Sequence, residues 1–166
     1  METSKILLGK RILIVDDERD ILETLIELLS LCKIDAASSF EEGKRHLERH
    51  NYDLVILDIM GVKGFDLLDI ARGRGTPVLM LTAHALTPDS LKKSIRLGAV
   101  SFLPKERMGD LVEHLEDVVL EGGKPAWQKL FDKLGDLFNK RFGPGWKEKD
   151  RFFKEFEEEL RKSEGS

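Results

Sequence analysis

The chain has 166 residues, 41% of them hydrophobic and 35% charged, with a formal net charge of −4. That balance excludes a disordered chain, and the negative charge gives no general attraction to nucleic acid or anionic lipid. No apolar run approaches the ~20 residues that span a bilayer, Met1 to Lys10 lacks the apolar core of a signal peptide, and Cys32 has no second cysteine to pair with, so a cytoplasmic protein with a buried structural thiol is expected.

Arg11-Ile12-Leu13-Ile14-Val15 is a short apolar run that ends in Asp16-Asp17. Ile21, Leu22, Leu25, Ile26, Leu28 and Leu29 follow at the spacing of one helix face. A second strand is predicted over Ile34 to Ser38, then a helix over Phe40 to Arg49 with Phe40 and Leu47 as its apolar contacts. Asp53-Leu54-Val55-Ile56-Leu57 runs into Asp58. After a short loop, Phe65, Leu67, Leu68 and Ile70 make a brief third helix. Pro77-Val78-Leu79-Met80-Leu81 runs into Thr82. Thr87-Pro88 has the pattern of an N-cap followed by proline at the first helical position, and Gly98 that of a C-terminal stop. Val100 to Leu103 is followed closely by Lys105, and Leu111, Val112, Leu115, Val118 and Val119 mark a fifth helix ending before Gly122-Gly123.

Short Val-, Ile- and Leu-rich runs without alternation suit strands buried on both faces of a parallel sheet, and five βα repeats imply helices on both faces. In open α/β sheets the carboxyl ends of the strands line the ligand crevice. Asp16, Asp17, Asp58, Thr82 and Lys105 would therefore meet in one pocket. Singly, each has a plainer explanation: Asp17 as a helix cap, Thr82 as a turn hydroxyl, Lys105 as a solvated side chain. Together, clustered acids repel one another unless a cation bridges them, and magnesium favours such oxygen ligands.

The chain resembles the receiver domain of two-component response regulators. The matching residues are Ile14-Val15-Asp16-Asp17-Glu18, Leu57-Asp58, Leu81-Thr82-Ala83 and Gly98-Ala99-Val100-Ser101-Phe102-Leu103-Pro104-Lys105, and the resemblance covers roughly residues 10–121. It implies a flavodoxin-like doubly wound five-stranded parallel sheet of order 2-1-3-4-5. It also implies Asp58 as phosphoacceptor, Mg2+ held by Asp16, Asp17, Asp58 and the main-chain carbonyl of Met60, and Thr82 and Lys105 as partners of the phosphoryl oxygens. Phe102 would be the aromatic whose rotamer follows Thr82. A histidine kinase or phosphotransfer protein would be the donor, and the receiver would catalyse only its own phosphorylation and dephosphorylation. The output would lie on the face of helix 4, strand 5 and helix 5. The loop after Asp58 is about two residues shorter than the family pattern, which bears on the third helix. Glu106 stands after Lys105 where the family places a cis proline, leaving a trans bond or a strained cis one. His46, His50, His84 and His114 read as surface residues without metal-ligand spacing, with His84 bordering the phosphoryl site by its position two residues after Thr82.

Residues 124–166 hold both tryptophans and six of the nine phenylalanines. Trp127, Leu130, Phe131, Leu134, Leu137, Phe138 and Phe142 form one helical stripe. Phe152, Phe153, Phe156 and Leu160 form another beyond Gly143-Pro144-Gly145, so residues 124–163 are expected to form a helical hairpin. Its mixed charge and short length make it a poor DNA-binding output domain. An aromatic surface of this size must be covered, by the receiver itself, by a second copy in a homodimer or by a downstream protein target. The function expected is a receiver that signals through protein contacts, with no DNA-binding output and no membrane partner. A phosphorylation-independent interaction module of the same fold and a magnesium-dependent phosphohydrolase are the alternatives.

Overall fold

The apolar runs pair as one parallel sheet in the computed structural model, which describes residues 5–164. Its strands are β1 (Arg11–Val15), β2 (Lys33–Ala37), β3 (Leu54–Asp58), β4 (Val78–Thr82) and β5 (Ser101–Pro104), in the order β2-β1-β3-β4-β5. Every residue of β3 and β4 is buried, which is why these central strands carry no polar alternation. The register pairs Val15 with Leu57, Asp58 with Leu81 and Thr82 with Pro104. The residues that close β1, β3, β4 and β5 therefore lie side by side along one edge, beside the point where the strand order reverses. That is where α/β sheets open a binding crevice.

Between the strands run α1 (Arg19–Leu28), α2 (Phe40–Arg49), α3 (Gly64–Gly73), α4 (Pro88–Arg96) and α5 (Leu111–Leu120). Local chemistry sets their ends. The Ser39 hydroxyl accepts from the Glu42 N–H at 3.2 Å at the start of α2. Thr87 and Ser90 form a reciprocal capping box with Pro88 inside it at the start of α4, and Gly98, at φ +93°, turns the chain out after it. The third helix is ten residues long rather than brief. It begins directly at Gly64, where a Cβ would lie 2.1 Å from the Asp58 carbonyl oxygen, so glycine is what lets the shortened loop turn so tightly. The second strand lies one residue earlier than expected, at Lys33–Ala37. A short 3₁₀ helix, Lys105–Asp110, which the periodicity did not indicate, joins β5 to α5. The Lys105–Glu106 bond is trans, as are all the peptide bonds of the described residues. Cys32 is half-buried and donates to the Leu7 carbonyl at 3.3 Å, and burial raises the thiol pKa, consistent with a structural role.

The chain continues into α6 (Trp127–Phe142) and α7 (Arg151–Glu164), an antiparallel-reading pair joined by a turn in which Gly143 and Gly145 have φ of +94° and +75°. Trp146 in that turn is buried among Phe131, Phe138, Phe142 and Phe153, and its indole N–H donates to the Asn139 Oδ1 at 3.0 Å. The hairpin lies on its own chain, across α4, β5 and α5. Phe138 meets Phe102 of β5 edge-on at 6.4 Å. Lys133 pairs with Glu113 and Asp117 of α5 at 3.0 and 2.6 Å. Lys92 of α4 pairs with Asp150, and the Arg96 guanidinium sits 4.7 Å over the Phe152 ring. The aromatic stripes thus find their cover within the same molecule. Among the described residues no helix is long and apolar enough to cross a membrane.

Candidate functional site

Lys105 organises the crevice. It follows β5 directly, and its side chain is nearly buried. Its Nζ lies 2.9 Å from Asp16 Oδ2, 3.0 Å from Glu18 Oε1 and 3.4 Å from Asp58 Oδ1. Burial pulls the pKa of this ammonium down, but the three carboxylates outweigh it and hold the pKa above the usual lysine range. The same bond lowers the pKa of exposed Glu18.

Asp16 continues β1 by one residue and is fully buried. Its Oδ1 accepts from the Glu18 N–H at 2.8 Å, which orients the carboxylate at the start of α1. Its Oδ2 makes the 2.9 Å ion pair with Lys105. Burial, opposed by Lys105, raises the pKa of Asp16. Asp58 ends β3 and is 5% exposed. Burial, together with the charges of Asp16 and Asp17 and against the pull of Lys105, brings its pKa to about 7. Asp17 is exposed at the crevice mouth and lies against Gly61, where a Cβ would come within 2.3 Å of its Oδ2. Gly61 has φ +85°, so both the backbone and the close approach call for glycine there.

Donor oxygens of Asp16, Asp17 and Glu18 lie within 4.8 Å of one another. These hard carboxylate oxygens fit a divalent cation of the magnesium kind. Asp58 joins the group through Lys105, and Met60 stands two residues beyond it with an exposed side chain. Thr82 ends β4, fully buried, and its Oγ1 accepts from the Ala85 N–H at 3.0 Å. Phe102, also fully buried, lies not in the crevice but against the hairpin. His84 is exposed near Glu18. His114, expected at the surface, is instead buried in α5, where burial lowers its pKa. The expectation that no two histidines share metal-ligand spacing also fails: His46 and His50 are four apart and approach Asp35 together.

Of the residues expected to meet, Asp16, Asp58 and Lys105 come into contact, while Thr82 stands at the neighbouring strand end and Asp17 at the mouth. The contact of Glu18 with Lys105 was not foreseen, although Glu18 stood in the acidic run that opens α1. The 3.0 Å bond from Lys105 shows that the first acid after Asp17 turns back toward the end of β5.

A five-stranded parallel sheet of order 2-1-3-4-5 with carboxylates and a lysine at its C-terminal edge is the CheY-like flavodoxin fold. The family model for the response regulator receiver domain matches residues 12–116, and the chain belongs to that family. It is 40% identical over 103 residues to the two-component response regulator ARR18 of Arabidopsis thaliana, covering 58% of this chain and 16% of that protein. It is 35% identical over 150 residues to the response regulator protein PilR of Pseudomonas aeruginosa, covering 77% of this chain and 34% of that one. This chain therefore spans well under half the length of either relative. Among solved structures, the CheY-like receiver domain protein of Methanospirillum hungatei superposes with a TM-score of 0.58 at 26% identity, covering 69% of this chain and 99% of that one. A two-component response regulator from Clostridium difficile gives a TM-score of 0.61 at 22% identity, covering 68% and 97%.

Proposed function

We propose that the chain is a phosphoryl-accepting switch in which Asp58 is the acceptor and the docked hairpin is the element the switch acts on. The observation that carries this reading is Lys105, bridging Asp16, Glu18 and Asp58 in one crevice. An activated phosphoryl donor, a phosphohistidine on a partner kinase or phosphotransfer protein, needs a placed carboxylate and neutralisation of the charge on the transferring group. One Asp58 oxygen forms the new O–P bond as the donor's N–P bond breaks. Lys105, released from its carboxylates, pairs with a phosphoryl oxygen, and the Thr82 hydroxyl donates to another. Asp16, Asp17, Asp58 and the Met60 carbonyl would hold Mg2+, which when bound offsets the remaining negative charge. Water attacking the acyl phosphate reverses the modification with the same groups.

Three connections support an output through the hairpin. Lys105 is followed by Glu106, which pairs with Arg141 of α6. Thr82 is bonded to Ala85, whose carbonyl accepts from Ser90 inside the α4 cap, and α4 holds the hairpin through Lys92 and Asp150. Phe102, on the strand between these two routes, touches Phe138. Drawing Thr82 and Lys105 toward a phosphoryl group moves the anchors of both α6 and α7. Such a two-state shift needs only a differential affinity between the docked and undocked forms.

The test is incubation of the full chain with magnesium and a small acyl-phosphate donor, mapping of the modified residue, and hydrogen exchange across α6 and α7. Labelling at Asp58, lost in Asp58→Asn, together with changed protection of the hairpin is expected. Labelling without change in the hairpin removes it as the output. No labelling favours a phosphorylation-independent interaction module.

A further inference from the structure

On β2, the sheet edge opposite β5, two imidazoles and a carboxylate converge in a place the phosphoacceptor chemistry does not use. Asp35 sits at the middle of β2. His46 lies in the last turn of α2 and His50 is the extended residue that caps its C-terminal end, with ring centroids 6.0 Å apart. One donor atom from each of the three residues lies within 4.8 Å of the other two, and His46 Nδ1 is 4.0 Å from Asp35 Oδ2.

From this arrangement we infer that Asp35, His46 and His50 form a second metal site, selective for a divalent transition ion such as Zn2+ over Mg2+. Imidazole suits zinc, cobalt, nickel and copper, whereas magnesium favours oxygen alone, so the two metal preferences divide between this trio and the all-oxygen crevice. Two histidines and one carboxylate are also a known ligand set for a zinc ion that keeps an open position. Ligands at about 2.0–2.2 Å in tetrahedral geometry sit about 3.3–3.5 Å from one another. The three side chains are half-buried, with their donor atoms already within 4.8 Å of one another.

The surroundings support a built site. The hydroxyl of Tyr52, a buried residue at the turn into β3, donates to Asp35 Oδ2 at 2.7 Å and so fixes the carboxylate, as outer partners of metal-binding carboxylates do. The His50 ring meets the same tyrosine edge-on at 6.3 Å. Arg11 is the competitor: its guanidinium is 3.8 Å from Asp35 Oδ2. It also lies over the Tyr52 face at 5.5 Å, a resting place it keeps when the carboxylate turns to an ion. An ion there would clip the C-terminal end of α2 to the outermost strand.

The experiment titrates Co2+ and Zn2+ into the full chain with excess Mg2+ present to occupy the oxygen-only crevice. Wild type, His46→Gln, His50→Gln, the double variant and Asp17→Ala are compared. Expected are a Co2+ visible absorption band and a raised unfolding temperature with Zn2+ in wild type and in Asp17→Ala. Each single histidine variant should bind at least tenfold more weakly, and the band should vanish in the double variant. Unchanged unfolding temperatures of the histidine variants without metal establish that they fold. An identical band in the double variant, or no band in wild type at millimolar Co2+, overturns the assignment.

Discussion

Replacing Asp58 by asparagine should stabilise the protein above neutral pH when no divalent ion is present. The Asp58 carboxyl is moved from an ordinary 3.8 to about 7, chiefly by burial and by the charge of Asp16. The folded state therefore prefers the protonated acid. The favourable contribution is complete below about pH 4 and is lost as pH rises through about 7, where the folded protein must carry a buried, poorly solvated charge. At ~1.36 kcal/mol per pH unit, that interval sets a ceiling of about 4 kcal/mol on the cost at pH 8. Asparagine has the same shape and no charge but still buries an amide, so about 2 kcal/mol of this should be recovered. In a chain of this length that corresponds to a Tm higher by about 4–8 °C. Thermal unfolding of wild type and Asp58→Asn in chelator at pH 5.5 and 8 measures it. The gap should be wide at pH 8, narrower at pH 5.5, and should shrink at pH 8 when millimolar Mg2+ is added. Equal Tm values at pH 8 in chelator would refute the account of the crevice as electrostatically frustrated.

Phe138→Ala removes a fully buried ring that touches Phe102, Phe131, Phe142 and Trp146, and should cost about 3–5 kcal/mol, read as faster hydrogen exchange concentrated in α6 and α7. Uniform loss of protection across the sheet would instead mean that hairpin and sheet unfold as one unit. Gly61→Ala places a methyl group against the Asp17 carboxylate at a φ that disfavours it, and should cost at least about 1 kcal/mol and weaken Mg2+ binding measured by calorimetry. Unchanged affinity in that variant would show that Asp17 is not held in place by the loop.

Strand positions and the crevice were legible because both depend on local pattern. A Val-, Ile- and Leu-rich run that stops at a polar residue marks where a buried strand reaches the crevice, and this holds for Asp16, Asp58 and Thr82 alike. The α4 boundaries were equally clear, since Thr87, Pro88 and Gly98 each act through their own backbone preferences. What escaped was set by tertiary placement. The burial of His114 depends on α6 lying over α5, and the convergence of His46 and His50 on Asp35 depends on the helix packing beside the edge strand. The 3₁₀ turn after Pro104 has no apolar period to announce it. The hairpin's stripes foretold that a surface would be covered, while the choice of the molecule's own α4, β5 and α5 rests on long-range pairs such as Lys92 with Asp150 and Lys133 with Asp117.

The segment leading into α6 also changes what the sheet offers to its neighbours. β5 is an outermost strand, and the Ala126 N–H donates at 2.8 Å to the carbonyl of Val100, the residue just before it. The chain's own continuation thus occupies part of an open hydrogen-bonding edge that would otherwise invite pairing with a foreign strand. The opposite edge is guarded differently, by the charged side chains of Lys33 and Asp35 on β2. Lifting α6 away would therefore uncover unsatisfied main-chain groups as well as aromatic rings, and a released hairpin would leave a template for strand addition with an apolar wall beside it.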